Sequence, residues 1–148
     1  MKEKLKRYFL LACTLALFYS CKKDKQEYSN THEIGLVSIS STSIAEGDPV
    51  TFVISYVDGD GDLGENTANV FNLFLTDTRV NVTYKYRIKQ LAPDNSNIII
   101  KGNLDVLLSS TAITDGSNSQ SVTYTMYCVD RAGHQSNVIM CSPITIHN

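Results

Sequence analysis

The feature that most constrains the fold of this 148-residue chain is a two-residue alternation of apolar and other side chains, which recurs from residue 34 onward. In the segment VTFVISY at residues 50–56, every second side chain is large and apolar, and Thr, Val and Ser stand between them. Successive side chains of a β-strand point to opposite faces, so this pattern predicts strands with one buried face. No segment shows a persuasive helical period.

Seven segments carry the alternation and are separated by Gly, Asn, Asp and Pro: 34–44, 50–57, 70–76, 82–89, 98–108, 121–129 and 138–146. Seven short strands in about 115 residues predict an all-β fold, a single antiparallel β-sandwich of immunoglobulin-like type. The chain has no Trp and no Cys-Trp-Cys spacing, so a true immunoglobulin domain is not indicated. A small barrel is the structural alternative.

Residues 1–20 predict a bacterial lipoprotein signal peptide, with a basic start, an apolar run at residues 8–19 and Ser20 before Cys21. An apolar run of about 12 residues is too short to span a bilayer, which needs roughly 20. We expect Cys21 to be lipidated, and the alternative is a signal cut elsewhere that leaves Cys21 unmodified. Polar residues 21–32, His32 among them, then form a flexible tether before a domain at 33–148.

The strongest chemical motif is DGDGDLGE at residues 58–65, where Asp58, Asp60, Asp62 and Glu65 follow a predicted strand directly. Clustered carboxylates repel one another unless they are solvated or bridged by a cation, and hard oxygen ligands suit calcium. The motif is not an EF-hand, because that loop needs Gly at its sixth position and Glu at its twelfth. A solvated acidic turn is the alternative, since Asp-Gly pairs favour tight turns.

Asp130 ends the sixth predicted strand, and in a seven-stranded sandwich the loops after strands two and six lie at the same end. We therefore predict that Asp130 completes the calcium site, with Asn137 as a further ligand or a turn residue. The alternative role of Asp130 is to cap its turn or to pair with an arginine. Calcium bound with the weak affinity of extracellular modules stabilises a fold by only about 1 kcal/mol.

Two cysteines, Cys128 and Cys141, remain in the predicted domain. A hairpin centred between His134 and Gln135 would place them opposite each other, where a disulfide can form in an oxidising compartment. Two buried free thiols are the alternative.

Three segments together resemble a family of uncharacterised Bacteroidetes lipoproteins with an immunoglobulin-like or PKD-like sandwich: FVISYVDGDGDLG at 52–64, NLFLTD at 72–77 and DRAGHQSN at 130–137. The resemblance covers nearly the whole mature chain and implies a lipid-anchored sandwich at the outer membrane or cell surface. The motifs of this family carry no established activity. His134 stands where a smaller polar residue such as Asn is expected.

Charge and motifs restrict the classes of function. Without residues 1–20 the chain has 9 Lys and Arg against 14 Asp and Glu, a balance of −5, which argues against a nucleic-acid partner. No catalytic residue is assigned, because a Ser136–His134–Asp130 triad would lack a nucleophile elbow. We expect no enzyme but a calcium-stabilised binding module or an accessory protein to another envelope protein. The second hypothesis for its function is a glycan-binding module of a surface polysaccharide-utilisation system, and the third is a small hydrolase.

The glycan-binding hypothesis requires a row of aromatic side chains on the surface. Of the candidates, Tyr84, Tyr86 and Tyr124 fall in phase with core positions, and only Tyr127 is predicted to be exposed.

Overall fold

A computed structural model describes residues 31–148 of the chain. The predicted signal peptide, the predicted lipid acceptor Cys21 and most of the predicted tether lie outside the described residues. Within them every regular element is a β-strand. Residues 31–148 contain no helix long and apolar enough to cross a membrane.

Ten strands form three sheets in the described part of the chain. The first sheet has the order β1-β3-β6 and is antiparallel, with β1 at Glu33–Ile39, β3 at Val50–Asp58 and β6 at Ile100–Leu108. The second has the order β5-β4-β8-β9, with β4 at Leu73–Asp77, β5 at Val82–Tyr86, β8 at Tyr124–Cys128 and β9 at Ile139–Met140. The third is a short sheet of order β2-β10-β7, with β2 at Ser43–Ala45, β7 at Ser119–Val122 and β10 at Ile144–His147.

The prediction of an all-β, antiparallel, immunoglobulin-like sandwich is confirmed, although the structure has ten strands where seven were predicted and β10 pairs with β2 in parallel. Three of the seven predicted segments are each divided into two strands, namely β1 with β2, β7 with β8, and β9 with β10. One strand of each pair, namely β2, β7 or β10, joins the third sheet, so the chain changes sheet at each break. Pro143 lies in one break, where its missing N–H fits an interrupted ladder.

The core lies between the inner faces of the first two sheets. Alternate residues of β3 and β8 point inward and are fully buried, and Phe52 meets Tyr124 edge to face with 5.5 Å between ring centroids. Strand β5 is different because it lies at the edge of its sheet and four of its five residues are exposed. Tyr84 is therefore exposed, so its assignment to the core was wrong, whereas Tyr86 packs partly against the core and Tyr124 is buried.

Strand register shows which loops share an end of the sandwich. Glu33 pairs with Val57, and Asp58 pairs with Ile100, so the chain enters the domain where β3 ends and β6 begins. We call this the proximal end; it also carries the loops at 58–72, 87–99 and 129–138. The opposite end, where β3 begins and β6 ends, is the distal end.

Candidate metal centre at the proximal end

The acidic loop at residues 58–65 is held from inside by its first carboxylate. Asp58 is buried, and its Oδ1 accepts hydrogen bonds from the backbone N–H groups of Asp60 and Gly61, both at 3.3 Å. Its Oδ2 accepts the N–H of Leu63 at 2.7 Å, and the Leu63 side chain is fully buried. The loop therefore folds around Asp58, while Leu63 fixes it to the core.

Two glycines allow this loop to pass close to neighbouring backbone. Gly61 and Gly64 have φ values of 79° and 94°, in the left-handed region that favours glycine. A Cβ atom at either position would collide with a backbone carbonyl, that of Ile98 or that of Lys89. The Gly-rich spacing of the motif is thus required by the close approach of the 87–99 segment.

Three of the five predicted ligands converge. Asp58, Asp60 and Asp62 each offer a carboxylate oxygen, and these oxygens lie within 4.8 Å of one another. Burial, a hydrogen bond with Asp58 and repulsion from the neighbouring carboxylates raise the pKa of Asp60. Burial and repulsion from Asp130 and Asp58 raise the pKa of Asp62. The cluster therefore holds negative charge at a cost that a cation would reduce.

The donor set fits a hard cation. The Oδ1 atoms of Asp60 and Asp62 are buried and have no hydrogen-bond partner, although Oδ2 of Asp62 accepts the N–H of Ala132 at 3.2 Å. Buried carboxylate oxygens without a donor are costly, and a bound cation satisfies them. All three groups are oxygen ligands, the chemistry that calcium and magnesium prefer.

Asp130, the fourth predicted ligand, lies beside the cluster without joining it. The N–H of Ala132 donates to Oδ2 of Asp62 at 3.2 Å, so the two loops share the proximal end as predicted, and repulsion from Asp130 helps to raise the pKa of Asp62. The oxygens of Asp130 are used elsewhere: Oδ1 accepts the N–H of His134 at 2.7 Å, and Oδ2 lies 3.1 Å from Nδ1 of the same residue. Asp130 thus caps its own turn, the alternative role considered for it.

Glu65, the fifth predicted ligand, also turns away. One of its carboxylate oxygens accepts the N–H of Thr67 at 2.6 Å, and this hydrogen bond holds the pKa of Glu65 below its usual range. The backbone N–H of Glu65 donates to the carbonyl of Ile88 at 2.9 Å. Glu65 therefore stabilises a turn and does not belong to the acidic cluster.

Arg131 supports the acidic loop, a role that sequence reasoning missed. Its backbone N–H donates to the carbonyl of Asp62 at 3.3 Å, and its guanidinium donates to the carbonyls of Gly64 at 2.9 Å and Gly61 at 3.3 Å. The arginine of the Asp-Arg-Ala-Gly sequence thus fixes the backbone that presents the carboxylates. The one signal for this contact in the sequence is the positive charge of Arg131 directly after Asp130, a predicted ligand of the acidic site.

The assignment of His32 to the tether was wrong. His32 is fully buried, and its Nδ1 lies 3.4 Å from Oδ2 of Asp130. Nearby, the side chain of Asn137 accepts the N–H of Ile34 at 2.8 Å and donates to its carbonyl at 2.9 Å. The first residues of the domain are therefore attached to the 130–137 loop, and the polar character of 31–32 concealed this.

A cavity of about 690 Å³ opens beside the cluster. Asp60, Asp62 and Arg131 line one side, and residues 94–97 line the other. Ser96 contributes an Oγ atom that is buried and has no hydrogen-bond partner. No sequence motif marked residues 94–97, because only the folded chain brings them to the acidic loop.

Of the two alternatives considered for Cys128 and Cys141, a disulfide or two buried free thiols, the structure has the free thiols. Met126 pairs with Ile139, and the N–H of Cys141 donates to the carbonyl of Tyr124 at 2.9 Å. Cys141 thus faces Tyr124, four residues from Cys128 along the strand, because the hairpin turns between Val129 and Gln135, about two residues earlier than assumed. Both thiols are buried, which raises the pKa of Cys128 to about 12 and that of Cys141 to about 11.

His134 and Asp130 are in contact, but Ser136 is not connected to them as a nucleophile would be. The Ser136 hydroxyl is buried, donates to the carbonyl of Asn137 at 2.8 Å and accepts the N–H of Cys128 at 2.9 Å. Its bonds therefore hold the hairpin backbone.

Comparisons of the chain with protein-family models, with curated proteins and with solved structures found no match. The resemblance to Bacteroidetes lipoproteins stays a prediction from the sequence motifs.

Proposed function

We propose that this protein is a lipid-anchored, calcium-stabilised β-sandwich that acts as a binding or accessory module at the outer membrane or cell surface. The observation that carries the metal-binding part is the convergence of Asp58, Asp60 and Asp62 oxygens within 4.8 Å. Lipid anchoring rests on the signal sequence and Cys21. The module assignment rests on the small single sandwich at residues 31–148, in which the Ser136 hydroxyl bonds to backbone and not to His134.

Calcium is the ion that this donor set favours. Zinc sites are built mainly from Cys and His, whereas the cluster offers only carboxylates on a glycine-rich loop. Magnesium demands near-ideal octahedral geometry, while calcium accepts irregular arrangements of carboxylate and carbonyl oxygens. Bound calcium would relieve the repulsion among the three carboxylates and order the loop that Arg131 holds.

Thermal unfolding of the mature chain in excess calcium and in chelator tests this proposal. Calcium at a few times its dissociation constant stabilises by about 1 kcal/mol, which is a rise of several degrees in melting temperature for a domain of this size. An Asp60→Asn, Asp62→Asn variant should lose that rise.

The matched control is Asp48→Asn, Asp105→Asn, which removes two exposed carboxylates away from the loop. This control should keep the full calcium response. An equal rise in melting temperature with calcium in both double variants, or no rise in the wild type, would show that the acidic motif is a solvated turn and not a calcium site.

The aromatic surface gives less support to the glycan-binding hypothesis. Tyr127 stacks on Phe74, with ring centroids 4.8 Å apart and planes inclined by 15°. At that separation one face of each ring is covered by the other ring, so the pair is not a flat platform for a sugar. Glycan binding therefore stays the second prediction, to be tested by retention on polysaccharide columns.

A further inference from the structure

Large apolar side chains are exposed at the proximal end. Val70 and Phe71 are 40% and 48% exposed, and Ile98 and Ile99 are each 48% exposed. Strand pairing gives their position. Ile100 pairs with Asp58 at the proximal end of the first sheet, and Ile99 comes just before that pair. Asn72 accepts the N–H of Val129 at the proximal end of the second sheet, and Phe71 comes just before Asn72. We call these four side chains the apolar tip.

The chain enters the domain at this same end. Glu33 pairs with Val57, one residue before the acidic loop begins, and the buried His32 fixes the residues just before β1. Only ten peptide steps separate Cys21 from Thr31. A fully extended chain of that length reaches at most about 35 Å.

We propose that the apolar tip docks on the surface of the bilayer that holds the lipid anchor. The inference rests on the proposed lipidation of Cys21, which makes the membrane the surface nearest to the proximal end. Strand β3 is about 26 Å long from Val50 to Asp58, so the distal end lies that much farther from the point where the tether enters. Contact of the apolar tip with the bilayer therefore requires less extension of the tether than contact of the distal end.

Anchoring also explains how so small an apolar surface is sufficient. A tether of this length turns docking into an intramolecular event with an effective concentration in the millimolar range. Apolar contacts too weak to bind a free protein can then hold a tethered one at the interface. The neighbouring carboxylates oppose approach to an anionic surface, and calcium in the acidic loop would reduce that repulsion.

The test uses the full chain, processed and acylated in a bacterial host, and reconstituted into phosphatidylcholine vesicles containing a nitroxide-labelled lipid. A polarity-sensitive dye is attached at Ala68→Cys, an exposed position beside the tip, or at Ser110→Cys, an exposed position at the distal end. Cys128 and Cys141 are buried and stay unlabelled in the folded protein. Measurements are made in excess calcium.

We expect quenching by the nitroxide lipid to be several-fold stronger at position 68 than at position 110. A Phe71→Ser, Ile99→Ser background should abolish the difference. A Val37→Ser, Leu107→Ser background should retain it, because Val37 and Leu107 are each 53% exposed but lie away from the tip.

Equal quenching at the two positions, or no quenching, would overturn the inference. A dye response at position 68 that depends on protein concentration without vesicles would overturn it as well, by indicating a second copy at the tip. The mass of the N-terminal peptide separates this result from the proposed function: absent acyl chains refute lipid anchoring, and present acyl chains without quenching refute only docking.

Discussion

Asp58 and Asp60 look alike in the sequence but do different work in the acidic loop. Asp58 is buried and accepts three backbone N–H groups, so it organises the turn whether or not an ion is present. Asp60 leaves a buried oxygen without a partner, and its raised pKa reports that its charge is poorly stabilised. The first carboxylate is structural, and the second is available to a cation.

This difference predicts that two alanine substitutions have different effects on stability in chelator. Asp58→Ala should destabilise the domain by about 2 to 3 kcal/mol, because buried N–H groups lose a charged acceptor. Asp60→Ala should cost nothing without calcium, because it removes a repulsive charge. Urea unfolding in chelator measures both. Equal destabilisation by the two variants would contradict the division of roles.

Among the elements, the β4-β5 hairpin is tied to the rest of the fold by Arg79, which also pairs with the buried Asp77 of the same hairpin. Arg79 donates to Asp77 at 2.7 Å, to Gln120 of β7 at 2.6 Å and to the carbonyl of Ala112 at 3.1 Å. Burial alone would raise the pKa of Asp77, but the hydrogen bonds and positive charge of Arg79 outweigh it and lower that pKa. One arginine therefore connects the second sheet with the third.

Replacing Arg79 by Met should destabilise the domain by about 3 kcal/mol at neutral pH, since it leaves the Asp77 carboxylate buried without its partner. The folded-state pKa of Asp77 lies below its ordinary value of 3.8, so its contribution is present above that value and is lost as the pH falls through the folded-state pKa. The difference in free energy of unfolding between the wild type and the Arg79→Met variant should therefore decrease in acid.

Urea unfolding from neutral pH to below pH 3.8 measures this gap. Lys85→Met, an exposed change on the neighbouring strand, serves as control and should show little effect at any pH. A gap that stayed constant down to the lowest pH would show that Arg79 acts by packing alone.

Sequence patterns located the strands well because burial enforces the two-residue period. Strand β3 at Val50–Asp58 matches the predicted 50–57, and its alternate residues Phe52 and Ile54 are fully buried. The breaks at residues 40–42, 123 and 141–143 were missed, because hydrophobic alternation continues across them while the hydrogen bonds pass to another sheet. The two-residue period of the sequence indicates which face of a strand is buried, but it does not indicate which strand is its hydrogen-bonded neighbour.

Contacts that join distant parts of the molecule were the least predictable. The acidic loop was recognised by its composition, and its nearness to Asp130 followed from sandwich topology. The burial of His32 and the cavity wall at residues 94–97 depend on how irregular segments pack against that loop, and these segments have no period. The predicted hairpin register was wrong because the chain turns between Val129 and Gln135, about two residues earlier than assumed.

At the scale of the whole molecule, the two free thiols report on global unfolding. Cys128 and Cys141 lie in the core, are 0% and 3% exposed, and have pKa values raised by burial to about 12 and about 11. Since the thiolate is the reactive form, neither should react while the sandwich is intact. Alkylation of the mature protein at mildly alkaline pH should modify neither thiol in buffer and both in concentrated urea.

Because modification then requires opening of the core, calcium should slow it wherever calcium raises stability. Mass spectrometry of alkylated peptides follows each thiol separately, and the Asp60→Asn, Asp62→Asn variant should lose the calcium effect. Rapid alkylation of one cysteine in the native protein would show that its strand opens locally. A disulfide between Cys128 and Cys141 in the exported protein would contradict the register, which places them four residues apart along the strand.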